Sequence, residues 1–264
     1  MGKLQHRVRN HLWRLWTRYP LGSERLCCLC RARVGRFLPY SGGRAAMPAL
    51  MQALEVVGSD LDHHECPACG CHDRERHLFL YLRASGLLKQ MQGSRILHLA
   101  PEKYLQNIIR ETRPADYVMG DLFPASVDVA RLDVEGLPFA ADCFDFVIAN
   151  HLLEHVNFLD KAVSEIARVL RPGGHAILQT PFSPILEHTF DDRGIDTPDK
   201  RRQAYGQEDH VRLFGKDIVQ LIERFGFEPS VRQHAELLPD IDPLAHGVNA
   251  AEPFMLFVRM RTDK

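Results

Sequence analysis

Four of the seven cysteines stand in two matched pairs. Cys27 and Cys30 form one C-x2-C, Cys66 and Cys69 form another, and 66 − 30 − 1 leaves 35 residues between them. Two thiolates three positions apart on a tight turn both point inward and can clamp one edge of a tetrahedral Zn²⁺, so two such pairs supply a closed ligand set. A site of that kind is structural, because four protein ligands leave no open position for chemistry. The second pair lies in CPACG, whose Pro and Gly shape the turn. The gap is longer than that of a compact ribbon, and Cys28, Cys71, His63, His64 or His72 could each replace a ligand. The alternative is a set of small buried thiols.

The remaining polar candidates stand where apolar runs end. RILHLA (95–100), DYVMG (116–120), VARLD (129–133), FDFVIAN (144–150) and HAILQT (175–180) have the length of buried strands. Helical stretches lie between them: HDRERHLFLYLRASGLLKQ from His72 to Gln90, the segment from Glu102 to Arg110, and DKAVSEIARVL (160–170), which stops at Arg171-Pro172-Gly173-Gly174. Regular alternation of strand and helix predicts an α/β fold with a parallel sheet covered on both faces. Ligands of such sheets sit beyond the carboxyl ends of the strands, where Asp121, Asp133 and Asn150 fall. A helix from about Gly215 to Phe225, a strand starting near Phe227 and a last strand in FMLFVRM (254–260) complete the pattern.

The run DVEGLPFAADCFDFVIANHLLEHV from Asp133, followed by EIARVLRPGGHAILQTPF, resembles the class I S-adenosylmethionine-dependent methyltransferases of the ubiquinone-methyltransferase-like type, over roughly residues 93 to 233. The resemblance implies a Rossmann-like, seven-stranded, mostly parallel sheet with its last strand antiparallel. It implies that Asp121 bonds the ribose hydroxyls of the cofactor and Asp133 the adenine amine, with Leu122 and Val134 beside them and Asn150 and His151 at the cofactor edge. A carboxylate can accept from both vicinal hydroxyls, and a second from an exocyclic amine. Either Asp can also be a turn residue. The usual glycine-rich first loop is replaced by His98-Leu99-Ala100-Pro101-Glu102, which reduces close backbone approach. HLAPE, CPACGCHDRERH and AYGQEDHVRLFG together resemble a branch of the family with this variant loop, in which Glu102 faces the methionine ammonium.

For a hydroxyl acceptor, methyl transfer needs alignment and a base. His210 is the expected base, oriented by Asp209 or Glu208, and Arg212 is expected to hold an anionic acceptor group. A surface histidine and a local ion pair are the alternatives. The 32 residues from 183 to 214 exceed an ordinary connection and read as a lid or substrate loop. The expected organisation is a basic amphipathic arm (1–26), a zinc-ribbon-like module (27–72) and a methyltransferase domain (73–264).

The expected function is methyl transfer from S-adenosylmethionine to a small-molecule, saccharide or lipid-linked acceptor, at oxygen. Two alternatives stay open. An RNA methyltransferase would use the zinc annex and the N-terminal excess of ten Lys or Arg over the single acid Glu24 in residues 1–50. A non-catalytic binding module would keep the fold with a degenerate loop. With 45% hydrophobic and 25% charged residues the chain reads as globular, without a membrane-spanning run or secretory leader, and a cytoplasmic location is expected. The helical spacing of Leu4, Val8, Leu12, Leu15, Trp16 and Tyr19 leaves room for peripheral membrane contact.

Overall fold

The computed structural model describes residues 25–261. The basic amphipathic arm therefore lies outside the described residues apart from its last two positions. In chain order the elements are β1 (Arg25–Leu26), β2 (Arg33–Val34), α1 (Ala49–Ala53), α2 (Asp73–Ala84), α3 (Leu87–Gln90), β3 (Arg95–Leu99), α4 (Lys103–Glu111), β4 (Asp116–Asp121), β5 (Ala130–Arg131), β6 (Phe144–Ala149), α5 (Leu159–Val169), β7 (Leu170–Ile177), α6 (Pro198–Tyr205), α7 (Ile218–Glu223), β8 (Phe227–Pro229), α8 (His234–Leu237), α9 (Pro243–His246) and β9 (Leu256–Arg259).

Seven strands form one sheet in the order β5-β4-β3-β6-β7-β9-β8. The first five run parallel, and β9 is antiparallel to both β7 and β8. All six residues of β6 are buried, as a central strand covered on both faces requires. Side chains alternate between faces: Leu97, Val147 and Ala149 enter one core with α5 and α7, while Ile96, Phe146 and Ile148 enter the other with α2 and α4. Ala162, Val163, Ile166 and Val169 give α5 its inward stripe. Because β3 is flanked by β4 and β6, the chain reverses its winding direction there, and the carboxyl ends of these strands open onto the ligand crevice of doubly wound sheets.

Several expected boundaries shift. The helix read over 72–90 breaks at Gly86, whose φ of 78° leaves the helical region, and resumes as α3. The fifth strand starts at Leu170 rather than after the Pro-Gly-Gly turn, with a register irregularity against Phe144 and Phe146. The third expected strand shrinks to Ala130 and Arg131, so Asp133 stands in the turn beyond it.

The cysteine-bearing annex does not sit apart. Arg76 of α2 is fully buried and donates to the carbonyls of His63, His64, Cys71, His246 and Gly247, while its guanidinium lies 4.0 Å over the Phe37 ring. Gly247, at φ 60°, faces Phe37 so closely that a Cβ there would come within 2.3 Å of it. The long stretch between the two cysteine pairs holds α1 and pairs Val57 with Phe182 beyond β7.

Candidate functional site

The two C-x2-C pairs close on each other. Cys27 Sγ lies 4.0 Å from Cys69 Sγ and Cys30 Sγ lies 3.9 Å from Cys66 Sγ. Tetrahedral coordination at a Zn–S bond near 2.3 Å separates sulfurs by about 3.8 Å, so the spacing and the donor chemistry fit that ion. Each pair sits on a knuckle: the Arg31 amide donates to the Cys27 carbonyl, and the Gly70 amide to the Cys66 carbonyl. Both knuckles turn through positive φ, at Arg31 (60°) and Gly70 (82°). Cys71 is a fifth thiol in the cluster, 3.4 Å from Cys27, and it faces the Arg76 guanidinium at 3.7 Å. Of the other sequence candidates, His64 and His72 stack on each other, Asp73 holds His64, Asp60 holds His63, and the Cys28 thiol donates to the Arg76 carbonyl.

At the strand ends, Ala100 takes φ 48°, the backbone conformation that the missing glycine would have supplied. Glu102, the residue before α4, turns its carboxylate inward. His98 Nε2 meets it at 3.0 Å and Asn150 Nδ2 donates to its other oxygen. Burial would raise this carboxyl, but the His98 bond and charge, the Arg74 charge and the Asn150 bond outweigh burial and hold it below its ordinary value. His98, read from sequence as one of the cofactor-loop residues, is fully buried between Glu102 and the Tyr117 hydroxyl, where it positions Glu102. Asn150, 3% exposed, is committed to Glu102 in the same way.

Asp121 and Asp133 each use Oδ1 to cap the turn that follows, accepting from the Phe123 and Glu135 amides at 2.7 and 2.9 Å. Both are turn residues, yet each keeps a second carboxylate oxygen. Leu122 is exposed beside Asp121, and Val134 is buried beneath Asp133.

A cleft of ≈ 800 Å³ adjoins this crevice. The annex, with Tyr40, Arg44 and Met51, and the start of α2, with Arg74, supply one wall, and the insertion over 183–214 supplies another, with Arg202, Tyr205, Asp209 and His210. That insertion is anchored rather than free: Ser183 pairs with Phe214, Phe190 with Leu213, and Ala204, Tyr205 and Leu213 pack on Met51. Arg74, which sequence reading passed over within CHDRERH, lines the cleft, and its Nε is shut from solvent with no hydrogen-bond partner. An orphaned guanidinium nitrogen beside an ionised Glu102 suits a ligand carrying carboxylate and ammonium together, as the methionine end of S-adenosylmethionine does.

The expected catalytic trio does not assemble as a unit. His210 is 4% exposed; its Nδ1 lies 3.0 Å from the Tyr205 carbonyl oxygen, and its Nε2 is buried without a partner. Burial holds this imidazole below its ordinary pKa. Asp209 does not orient His210 but meets His155 Nδ1 at 3.3 Å. Arg212, 2% exposed, spends its donors on the Leu153, Val156 and Asn157 carbonyls and on Asp191, leaving none for an acceptor. Its role is to tie the insertion to the turn after β6.

His151 takes φ 53° and lines the cleft. Its ring lies 3.1 Å from Glu252 and 3.5 Å from Glu154. Burial would lower its pKa, but the two carboxylates outweigh burial and push it up to about 9. His151 therefore stands protonated near neutrality, as a donor rather than a base. Neither this pairing nor Arg74 was visible in the sequence, because Glu252 and Arg74 reach the cleft from distant segments.

Residues 83–178 match the family model of the methyltransferase domain. A ubiquinone/menaquinone biosynthesis C-methyltransferase of Methylococcus capsulatus is 38% identical over 66 residues, covering 25% of this chain and 27% of that protein. The phthiotriol/phenolphthiotriol dimycocerosates methyltransferase of Mycobacterium leprae is 34% identical over 119 residues, covering 38% and 42%. The chain thus spans less than half the length of these relatives. Among solved structures, an S-adenosylmethionine dependent methyltransferase from Mesorhizobium loti aligns with TM-score 0.42 at 19% identity, over 67% of this chain and 94% of that one. Among the described residues no helix is long and apolar enough to cross a membrane.

Proposed function

We propose that this chain is an S-adenosylmethionine-dependent methyltransferase that binds its cofactor beyond β3, β4 and β6 and its acceptor in the adjoining cleft. The observation that carries the reading is Glu102, held ionised at the crevice by two buried side chains while the Arg74 guanidinium stands with a donor unused. In this reading Glu102 binds the ammonium and Arg74 the carboxylate of the methionine end. The free oxygen of Asp121 accepts from the ribose hydroxyls and that of Asp133 from the adenine amine, while Ala100, Pro101, Leu122 and Val134 line the path between. His98 and Asn150 keep Glu102 in place. The bound cofactor supplies a methyl group on a sulfonium, an electrophilic carbon that needs an acceptor aligned opposite the leaving sulfur.

The cleft mixes cations (Arg44, Arg202), carboxylates (Asp60, Asp62, Glu208) and apolar surface (Met47, Met51, Tyr205). Such a wall suits a polar small molecule, a saccharide or a lipid-linked intermediate with hydroxyl or phosphate groups, while both ring nitrogens of His151 are engaged by Glu252 and Glu154. Cys27, Cys30, Cys66 and Cys69 would hold a structural Zn²⁺ that fixes the annex wall.

Incubation with methyl-labelled S-adenosylmethionine and fractions of phosphorylated saccharides, lipid-linked saccharides and RNA tests the reading. Label in a saccharide or lipid-linked fraction supports it. Label confined to RNA moves the acceptor assignment to nucleic acid, and no transfer by a protein that binds the cofactor leaves a binding module.

A further inference from the structure

Glu154, His155 and His210 meet beside the cleft, and the methyltransferase reading uses only Glu154, whose Oε1 also lies 3.5 Å from His151 Nδ1. One donor atom from each of the three side chains lies within 4.8 Å of the others. Glu154 and His155 come from the turn after β6, and His210 comes from the end of the insertion. Glu154 is 1% exposed and His210 4%.

The ring nitrogens turned away from the group are already spoken for. His155 Nδ1 lies 3.3 Å from Asp209 Oδ2, which leaves Nε2 toward Glu154 Oε1 at 4.0 Å. His210 Nδ1 lies 3.0 Å from the Tyr205 carbonyl oxygen; that contact requires the proton on Nδ1 and places the lone pair on Nε2. That Nε2 is buried and has no partner. Glu154 Oε2 accepts from the Thr180 hydroxyl at 2.9 Å, fixing the carboxylate. Two imidazoles, each held through Nδ1 by a carboxylate or a backbone carbonyl, together with an anchored carboxylate, are the outer-sphere pattern of a two-histidine, one-carboxylate metal site. A purely structural hydrogen-bond network would have satisfied the buried His210 Nε2, and this one does not.

We propose that Glu154, His155 and His210 bind one first-row divalent cation of the Zn²⁺, Fe²⁺ or Co²⁺ class, separate from the thiolate cluster. Donors around such an ion stand about 3 to 3.6 Å apart at bond lengths near 2.0 to 2.2 Å, so rotations of the His155 and Glu154 side chains suffice to close the shell. Three protein ligands leave coordination positions open, and His210 borders the cleft. His210 is then a ligand and not the base expected from sequence. The inference rests on the side-chain geometry and stands whether or not the chain transfers methyl groups.

Cobalt binding decides it. The full chain, first given one equivalent of Zn²⁺ to fill the thiolates, is titrated with Co²⁺ under anaerobic conditions. The expected result is one further saturable equivalent, with weak visible d–d bands and no thiolate-to-cobalt charge transfer. Affinity should fall at least 100-fold in His210→Ala and in Glu154→Gln. It should fall about 10- to 100-fold in Asp209→Ala, an exposed position whose loss leaves the core intact. No cobalt beyond the thiolate equivalent in the unaltered protein, or unchanged binding in His210→Ala and Asp209→Ala, overturns the proposal.

Discussion

The cysteine cluster and the Glu154, His155 and His210 group gather donor atoms by opposite routes. Each half of the first is local, two thiols on one knuckle, and only the pairing of the knuckles is long-range. The second joins neighbours on one turn to a residue brought back by the whole insertion, and the insertion is held there by Arg212 and by the Met51 and Tyr205 contact. Donors set by turn geometry announce themselves as spacing in the chain. Donors set by packing do not.

The largest effect is expected at the thiolates. Cys66→Ser should release the metal from that site and unfold the annex, because folding of such modules is coupled to metal binding. Elemental analysis together with thermal unfolding checks it; an unchanged melting profile would reduce the cluster to small buried thiols. Arg76→Ala should cost about 3 kcal/mol or more in urea unfolding, since five carbonyls lose a buried donor. A cost below 1 kcal/mol would mean that the annex does not depend on this clamp.

Much of the fold was legible because it follows from period and burial. β3, β4 and β6 lie where the apolar runs placed them, and the residues of β6 and most of β3 are buried, as a central strand requires. The RPGG stretch misled: it reads as a turn, yet the sheet carries β7 through it by slipping register against β6. Asp121 ends β4 and Glu102 follows β3 just before α4, at the positions along the chain that the apolar runs suggested. Site residues were not legible where the partner is remote. Asp209 stands next to His210 in sequence but serves His155, and Arg212 is turned into the protein. Arg74 opens α2 just after the second knuckle, and nothing in the sequence placed it at the cleft.

Smaller effects sharpen the same contrast at the strand ends. Asp121→Ala should weaken cofactor binding by about 1.5 to 3 kcal/mol, the range for hydrogen bonds to a charged group, with the fold retained. Unchanged affinity would leave Asp121 as a turn residue only. The smallest effect is one of pH. Glu102 has its pKa lowered on folding, so its ionisation stabilises the native state above the ordinary glutamate range near 4.3, and the contribution fades as pH falls through the depressed value. The difference in unfolding free energy between the unaltered protein and Glu102→Gln should therefore be full at pH 6 to 7 and shrink below about pH 4. A difference independent of pH would show that His98 does not hold Glu102 ionised.

The central claim, an S-adenosylmethionine site built on the HLAPE loop, is tested most directly by calorimetric titration of the full chain with S-adenosylmethionine and S-adenosylhomocysteine. The account predicts saturable binding of both at one site per chain, weakened by Arg74→Ala and by Glu102→Gln. Absence of heat and of competition in a folded, metal-loaded protein would contradict it.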